Sequence, residues 1–115
     1  MNEAMIEMTL RTVVELLVRK DYVAVERLTK GRRLSASDIE NQINDYGVTL
    51  VSPPMTAFAQ LDVVPIRGRK PHAYSIRFPL YSEEEGESDL EVQATFTEDA
   101  EGQLMEVELD NILVP

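Results

Sequence analysis

The chain is 115 residues long, which is typical of one domain, and 43% of its residues are hydrophobic and 28% are charged. This is the composition of a globular protein rather than a disordered one. Its 21 acidic residues outnumber its 11 basic residues, so the formal net charge is −10. That charge argues against general binding of nucleic acid or of anionic membranes, because both require a cationic surface. The absence of cysteine excludes disulfides, thiolate zinc sites and cysteine nucleophiles.

The N-terminal segment carries Glu3 and Glu7, whereas a signal peptide would carry lysine or arginine there. The uninterrupted apolar runs, such as Leu16–Val18, are far too short to cross a bilayer. We therefore expect a cytoplasmic protein.

Hydrophobic periodicity predicts two helices at the start of the chain, over residues 2–20 and 22–30. The first has an apolar stripe that runs from Ile6 to Leu17 at helical spacing. Asp21 is the predicted N-cap of the second, and Leu28 is expected to point inward.

The third predicted helix covers residues 36–46 and ends at Gly47. Two serines are possible N-caps, and each has an acidic residue three positions later, as a capping box requires. We favour Ser35 over Ser37, because Leu34 and Ile39 then occupy the two positions of a hydrophobic staple.

After Gly47 the apolar period changes from 3.6 to 2, which predicts strands. The predicted strands cover residues 48–51, 61–66, 74–81, 89–97 and 104–110. Short links between them favour antiparallel pairing, with the helices covering one apolar face. The predicted fold class is therefore α+β, with three N-terminal helices packed on one face of a four- to five-stranded, mainly antiparallel curved sheet. We expect residues 1–115 to form a single domain.

The predicted inner face of the sheet contains no Asp, Glu, His, Lys or Arg, so it offers an acid–base catalyst nothing except tyrosine hydroxyls. This face consists of Tyr74, Ile76, Phe78, Leu80, Leu90, Val92, Ala94, Phe96, Met105, Val107 and Leu109. We accordingly predict no catalytic residue and no cofactor, and a non-enzymatic function is favoured. The alternative is a pocket for a small apolar ligand or an active site between helices and sheet, lined by Tyr22, Tyr74, Phe78 and Phe96.

No metal site is predicted. His72 is the only histidine, and we expect it to be an exposed residue at the start of a strand. Two acidic loops approach the pattern of a calcium-binding loop, but Tyr81 or Thr97 would occupy the first ligand position.

The negative charge is concentrated in the last third of the chain. Residues 1–34 carry a net charge of +2 and residues 35–80 are neutral, whereas residues 81–115 contain twelve acids and no base. We expect two basic clusters elsewhere to form solvated charge pairs with this third. The first cluster consists of Lys30, Arg32 and Arg33, and the second consists of Arg67, Arg69 and Lys70.

Some of the residues predicted to bind a partner alternate with the apolar residues along the strands, so they project from the opposite face of the sheet. The others lie in or next to the loop that precedes the strand at 89–97. The full set is Glu83, Glu84, Glu85, Glu87, Asp89, Glu91, Glu106 and Glu108. Two interpretations remain open: a solvated face that only prevents aggregation, or a surface that binds a basic protein. The oligomeric state is not predicted.

Five segments resemble a family of small uncharacterised bacterial domains, and the similarity covers nearly the whole chain. They are Gly31–Ala36, Tyr46–Gly47, Leu50–Val51, Pro53–Pro54 and Glu84–Leu90. The order of elements resembles the cystatin-like and nuclear-transport-factor-2-like cone fold, a resemblance that implies no activity. Small acidic bacterial domains of this kind look like immunity proteins, so the resemblance implies a basic partner such as a toxin. Glu84, Glu85 and Asp89 lie within the shared segments.

Overall fold

The structure is a computed structural model that describes residues 3–70 and 72–115, apart from the side chain of Met105. The described residues form four helices: α1 (Glu3–Val18), α2 (Tyr22–Thr29), α3 (Ala36–Tyr46) and the short α4 (Met55–Phe58). They also form five strands: β1 (Leu50–Val51), β2 (Val63–Pro65), β3 (Ala73–Ser82), β4 (Gly86–Glu98) and β5 (Leu104–Leu113).

The five strands form one open antiparallel sheet. Its order is β1-β3-β4-β5, and β2 pairs with the other end of the β3 edge that β1 occupies. The strands β3 and β4 are therefore central, and β5 is the opposite edge. An antiparallel sheet preceded by helices confirms the predicted α+β class.

The helix ends follow the predicted capping chemistry. Ser35 accepts a hydrogen bond from the backbone of Asp38, whose carboxylate accepts one from the backbone of Ser35 in return. Asp21 caps α2, and Gly47 ends α3 in the left-handed conformation at φ 85°. The capping box at Ser35 is thus the one that forms.

Some predicted bounds differ from the structure. The first helix ends at Val18 rather than at residue 20, and its predicted start at Asn2 lies outside the described residues. Leu28 is 38% exposed, because Thr29 takes the buried position in the last turn of α2. Pro71, placed in a turn by the sequence, also lies outside the described residues.

The strands β3, β4 and β5 extend further than predicted, whereas β1 and β2 are shorter than predicted. Pairing between β3 and β4 continues to Gly86, because the Ser88 hydroxyl donates to the carbonyl of Leu80 at 2.9 Å where the register shifts. The last strand continues to Leu113, because an irregularity near Asp110 returns Ile112 to the inner face opposite Val92. Such a bulge interrupts the alternation of inward and outward side chains, and the predicted end of the strand depended on that alternation.

The core lies between the helices and the inner face of the sheet. The α1 stripe is buried, as are all the predicted inner-face residues whose side chains are described. The Phe58 and Phe78 rings stack with their centroids 4.7 Å apart, which packs α4 against β3. The Arg11 guanidinium lies 4.4 Å from the centroid of the Phe58 ring, on its face.

Within the described ranges, no helix combines the length and the apolar character that crossing a membrane requires.

Candidate functional site: the acidic hairpin

Five of the eight predicted partner-binding residues lie together where β3 turns into β4. They are Glu83, Glu84, Glu85, Glu87 and Asp89, and we call them the acidic hairpin. All five side chains are exposed, and none forms an ion pair with a described residue. The hairpin is therefore a concentrated and uncompensated negative charge.

The chain before β1, the end of α3 and the strand β3 each hold one of these carboxylates in place. Glu84 accepts hydrogen bonds from the Thr49 backbone at 2.9 Å and from its hydroxyl at 3.1 Å. The Tyr46 hydroxyl donates to Glu85 at 2.7 Å, and the Tyr81 hydroxyl donates to Glu87 at 3.2 Å. The side chains of Glu83 and Asp89 form no such contact with a described residue.

These contacts shift the ionisation of the groups involved. The Thr49 backbone N–H holds the pKa of Glu84 below its ordinary value, because the hydrogen bond favours the charged carboxylate. The carboxylate of Glu85 raises the pKa of Tyr46. Burial, followed by the carboxylate of Glu87, raises the pKa of Tyr81. At neutral pH the two tyrosines therefore remain neutral hydrogen-bond donors.

The acids that project from the outer face of the sheet are paired with arginine. Arg77 on β3 forms two hydrogen bonds to Glu91 on β4, at 2.6 and 2.9 Å, and lowers its pKa. This bidentate contact offsets the charge of Glu91.

A second group of ion pairs lies along β5. The loop between α2 and α3 places Arg32 against Glu106, with one of two hydrogen bonds at 2.8 Å, and lowers the pKa of Glu106. Arg33 lies 3.7 Å from Glu108 and 3.6 Å from Asp110. The predicted charge pairing of the first basic cluster is therefore confirmed for its two arginines. The second cluster, Arg67 to Lys70, is exposed and forms no ion pair among the described residues.

The predicted acidic surface is therefore two separate regions. Glu87 and Thr95 are eight residues apart on β4, which corresponds to about 26 Å, and Thr95 pairs with Glu108. Glu106 and Glu108 thus lie near the opposite end of the sheet from the hairpin. Of these two regions, only the hairpin lacks ion pairs with described residues.

The predicted apolar pocket is filled by core packing. Tyr74 and Phe96 line a cavity of about 10 Å³, close to the space that one water molecule needs. Phe78 lies in the core against Phe58, and Tyr22 is buried on α2, but neither lines that cavity. A small organic ligand would have to displace core side chains to enter.

The buried Glu98 is a residue that sequence reasoning did not single out. It is only 7% exposed and accepts a hydrogen bond from the Tyr74 hydroxyl at 2.6 Å. This contact raises the pKa of Tyr74.

His72 is exposed, and its backbone carbonyl accepts a hydrogen bond from the Glu98 backbone. In the described part of the chain, no group of three acids or histidines could hold a metal ion.

Sequence reasoning also missed an open groove of about 340 Å³ beside the acidic hairpin, which we call the α3–β5 groove. It lies between α3 and the end of β5, and Leu90 lies at its base. Its lining consists of Gln42, Asp45, Tyr46, Leu90, Ile112, Leu113 and Val114. The one available signal was Tyr46, because a tyrosine next to a helix end needs a partner for its hydroxyl.

A family model for a domain of unknown function, DUF7668, matches residues 14–115 of the chain. The chain belongs to this family. No curated protein and no solved structure matches it significantly. The resemblance to the cystatin-like cone accordingly stays a prediction.

Proposed function

We propose that this protein is a non-enzymatic binding domain whose acidic hairpin binds a basic segment of another protein. The observation that carries the proposal is the difference between the two acidic regions. Glu91, Glu106 and Glu108 are paired with arginines of the same chain, whereas the hairpin acids are exposed and paired with no described base. Lysine or arginine from a partner can compensate them.

Preorganisation supports the same proposal. Glu84, Glu85 and Glu87 are held by Thr49, Tyr46 and Tyr81, so a partner would not have to order these three side chains on binding. Binding to ordered groups costs less conformational entropy than binding to mobile ones. The interpretation as a purely solubilising surface does not require these contacts.

The alternative function, an apolar ligand or a reaction inside the core, has no such support. The space lined by Tyr74 and Phe96 measures about 10 Å³, which is far below the few hundred Å³ of ordinary ligand pockets. We also propose that the protein is cytoplasmic and that its partner is a toxin, as for an immunity protein.

The test is the affinity for a cationic peptide made of three lysines, two glycines and three lysines, measured by fluorescence anisotropy. We expect Glu83→Lys combined with Asp89→Lys to weaken binding roughly tenfold, because both charges at the hairpin are reversed. Neither side chain supports the fold through a hydrogen bond to a described residue. Affinity should also fall as salt is added.

The matched control combines Asp62→Lys with Glu101→Lys. Both residues are exposed, neither side chain forms a hydrogen bond or an ion pair with a described residue, and the change in net charge is identical. This pair should change affinity by less than about twofold. Equal losses in the two double variants would mean that the peptide senses net charge alone, and the proposal would then be wrong. If the partner is a toxin, cells that express the hairpin variant should lose protection against that toxin, whereas cells that express the control variant should keep it.

A further inference from the structure

We propose that the partner segment carries an apolar side chain among its basic residues, and that this side chain binds in the α3–β5 groove. This inference rests on the proposed function and adds the chemistry of the partner. The groove and the hairpin share a wall, because Tyr46 lines the groove and its hydroxyl donates to Glu85. A segment bound at the hairpin therefore reaches the groove without a gap.

The base of the groove is apolar. Leu90 and Ile112 lie at its floor, and Val114 is 51% exposed at its edge. A space of about 340 Å³ accommodates one or two aliphatic side chains. Leu90 and Ile112 are only 2% exposed, so the apolar surface that a partner would cover is that of Val114 and of the half-buried Leu113. Removing this surface from water favours binding.

The polar groups at the rim select a cationic segment of protein. Asp45 is exposed on the rim, Asp89 is next to Leu90, and no described residue that lines the groove is basic. An acidic rim repels anionic lipid and nucleic acid, and it attracts lysine and arginine. The charge and the apolar floor together fit a basic segment with an aliphatic anchor.

Gln42 provides a hydrogen-bonding group for the main chain of such a segment. Its side-chain oxygen accepts a hydrogen bond from the Ile112 backbone N–H at 3.1 Å, at the free edge of β5. Its amide nitrogen makes no hydrogen bond to a described residue. This nitrogen can donate to a backbone carbonyl of the partner.

The test compares the glycine peptide described above with a peptide in which two leucines replace the two glycines. Both peptides carry the same charge, so their difference in affinity measures the apolar contribution. We expect the leucine peptide to bind roughly tenfold more tightly. Val114→Asp should abolish this preference, since it places a charge at the edge of the groove.

Val64→Asp is the matched control, because Val64 is 49% exposed on β2, on the other edge of the sheet. This variant should keep the preference for leucine. The inference is wrong if the two peptides bind the unaltered protein equally, or if the preference survives Val114→Asp. In both cases the proposed function stands, provided that the hairpin variant still binds both peptides with lower affinity than the unaltered protein does.

A second copy of this chain is the competing occupant. Sedimentation of the protein alone distinguishes it: a dimer that Val114→Asp dissociates and that the leucine peptide cannot disrupt would overturn the inference. A monomer that binds the leucine peptide supports it.

Discussion

Two lysines adopt a backbone conformation that normally favours glycine. Lys20 after α1 has φ 62° and Lys30 after α2 has φ 59°. At each position the following residue donates a backbone hydrogen bond into the last turn of the helix, from Asp21 to Leu16 and from Gly31 to Glu26. These bonds close the helices at the expense of local strain, because a side chain in the left-handed region is crowded by its own backbone.

Replacing Lys20 by glycine should therefore stabilise the protein. We expect Lys20→Gly to raise the free energy of unfolding by about 0.5 to 1 kcal/mol, since relief of strain outweighs the added freedom of the unfolded chain. Urea denaturation measures the change. Gly47→Ala, at φ 85°, should shift the stability in the opposite direction, and a loss in both variants would contradict the argument.

At the scale of elements, the loop between α2 and α3 links the helices to the sheet edge. The α3 capping box orders the end of this loop, and Arg32 and Arg33 then reach the acids of β5. The Ala36 backbone N–H also donates to the Glu26 carboxylate at 2.6 Å, which joins the start of α3 to α2. A local cap thus positions long-range ion pairs.

The two serines near this helix start allow a direct comparison. Ser35→Ala removes the hydroxyl that accepts from the Asp38 backbone, and we expect it to lower the free energy of unfolding by about 1 kcal/mol. Ser37→Ala, in the first turn, should change it by less than about 0.5 kcal/mol. Thermal or urea denaturation of both variants checks this, and a larger loss at Ser37 would move the cap there.

At the scale of the whole molecule, the carboxylates whose pKa values are lowered link stability to acid. They are Asp38, Glu84, Glu91 and Glu106. A carboxylate whose pKa is lower in the folded state stabilises the fold fully above its ordinary pKa. This contribution is lost as the pH falls through the folded-state value.

The free energy of unfolding should therefore decline as the pH falls below about 4.5, the ordinary pKa of a glutamate. Glu84→Gln should reduce the size of this decline, because its hydrogen bonds with Thr49 no longer depend on ionisation. Urea denaturation over a range of pH measures both. Glu83→Gln is the control for lost negative charge and should leave the decline unchanged. Identical pH profiles for the two variants would show that Glu84 is not a linked group.

The sequence by itself determined the fold class, the order of the elements and the α3 capping box. These follow from interactions between residues a few positions apart, such as the apolar stripe of α1 and the pair Ser35 and Asp38. The inner face of the sheet was equally predictable, because alternation along a strand is a local property.

Only the tertiary structure decided which acids remain uncompensated and where an apolar surface is open. Arg32 is 74 residues from Glu106 in the chain, and Ile112 is 70 residues from Gln42, so neither contact leaves a local pattern. The irregularity at Asp110 also hid the end of β5 from an argument based on alternation. A sequence gives the sum of its charges, whereas ion pairing depends on distances that only the folded chain defines.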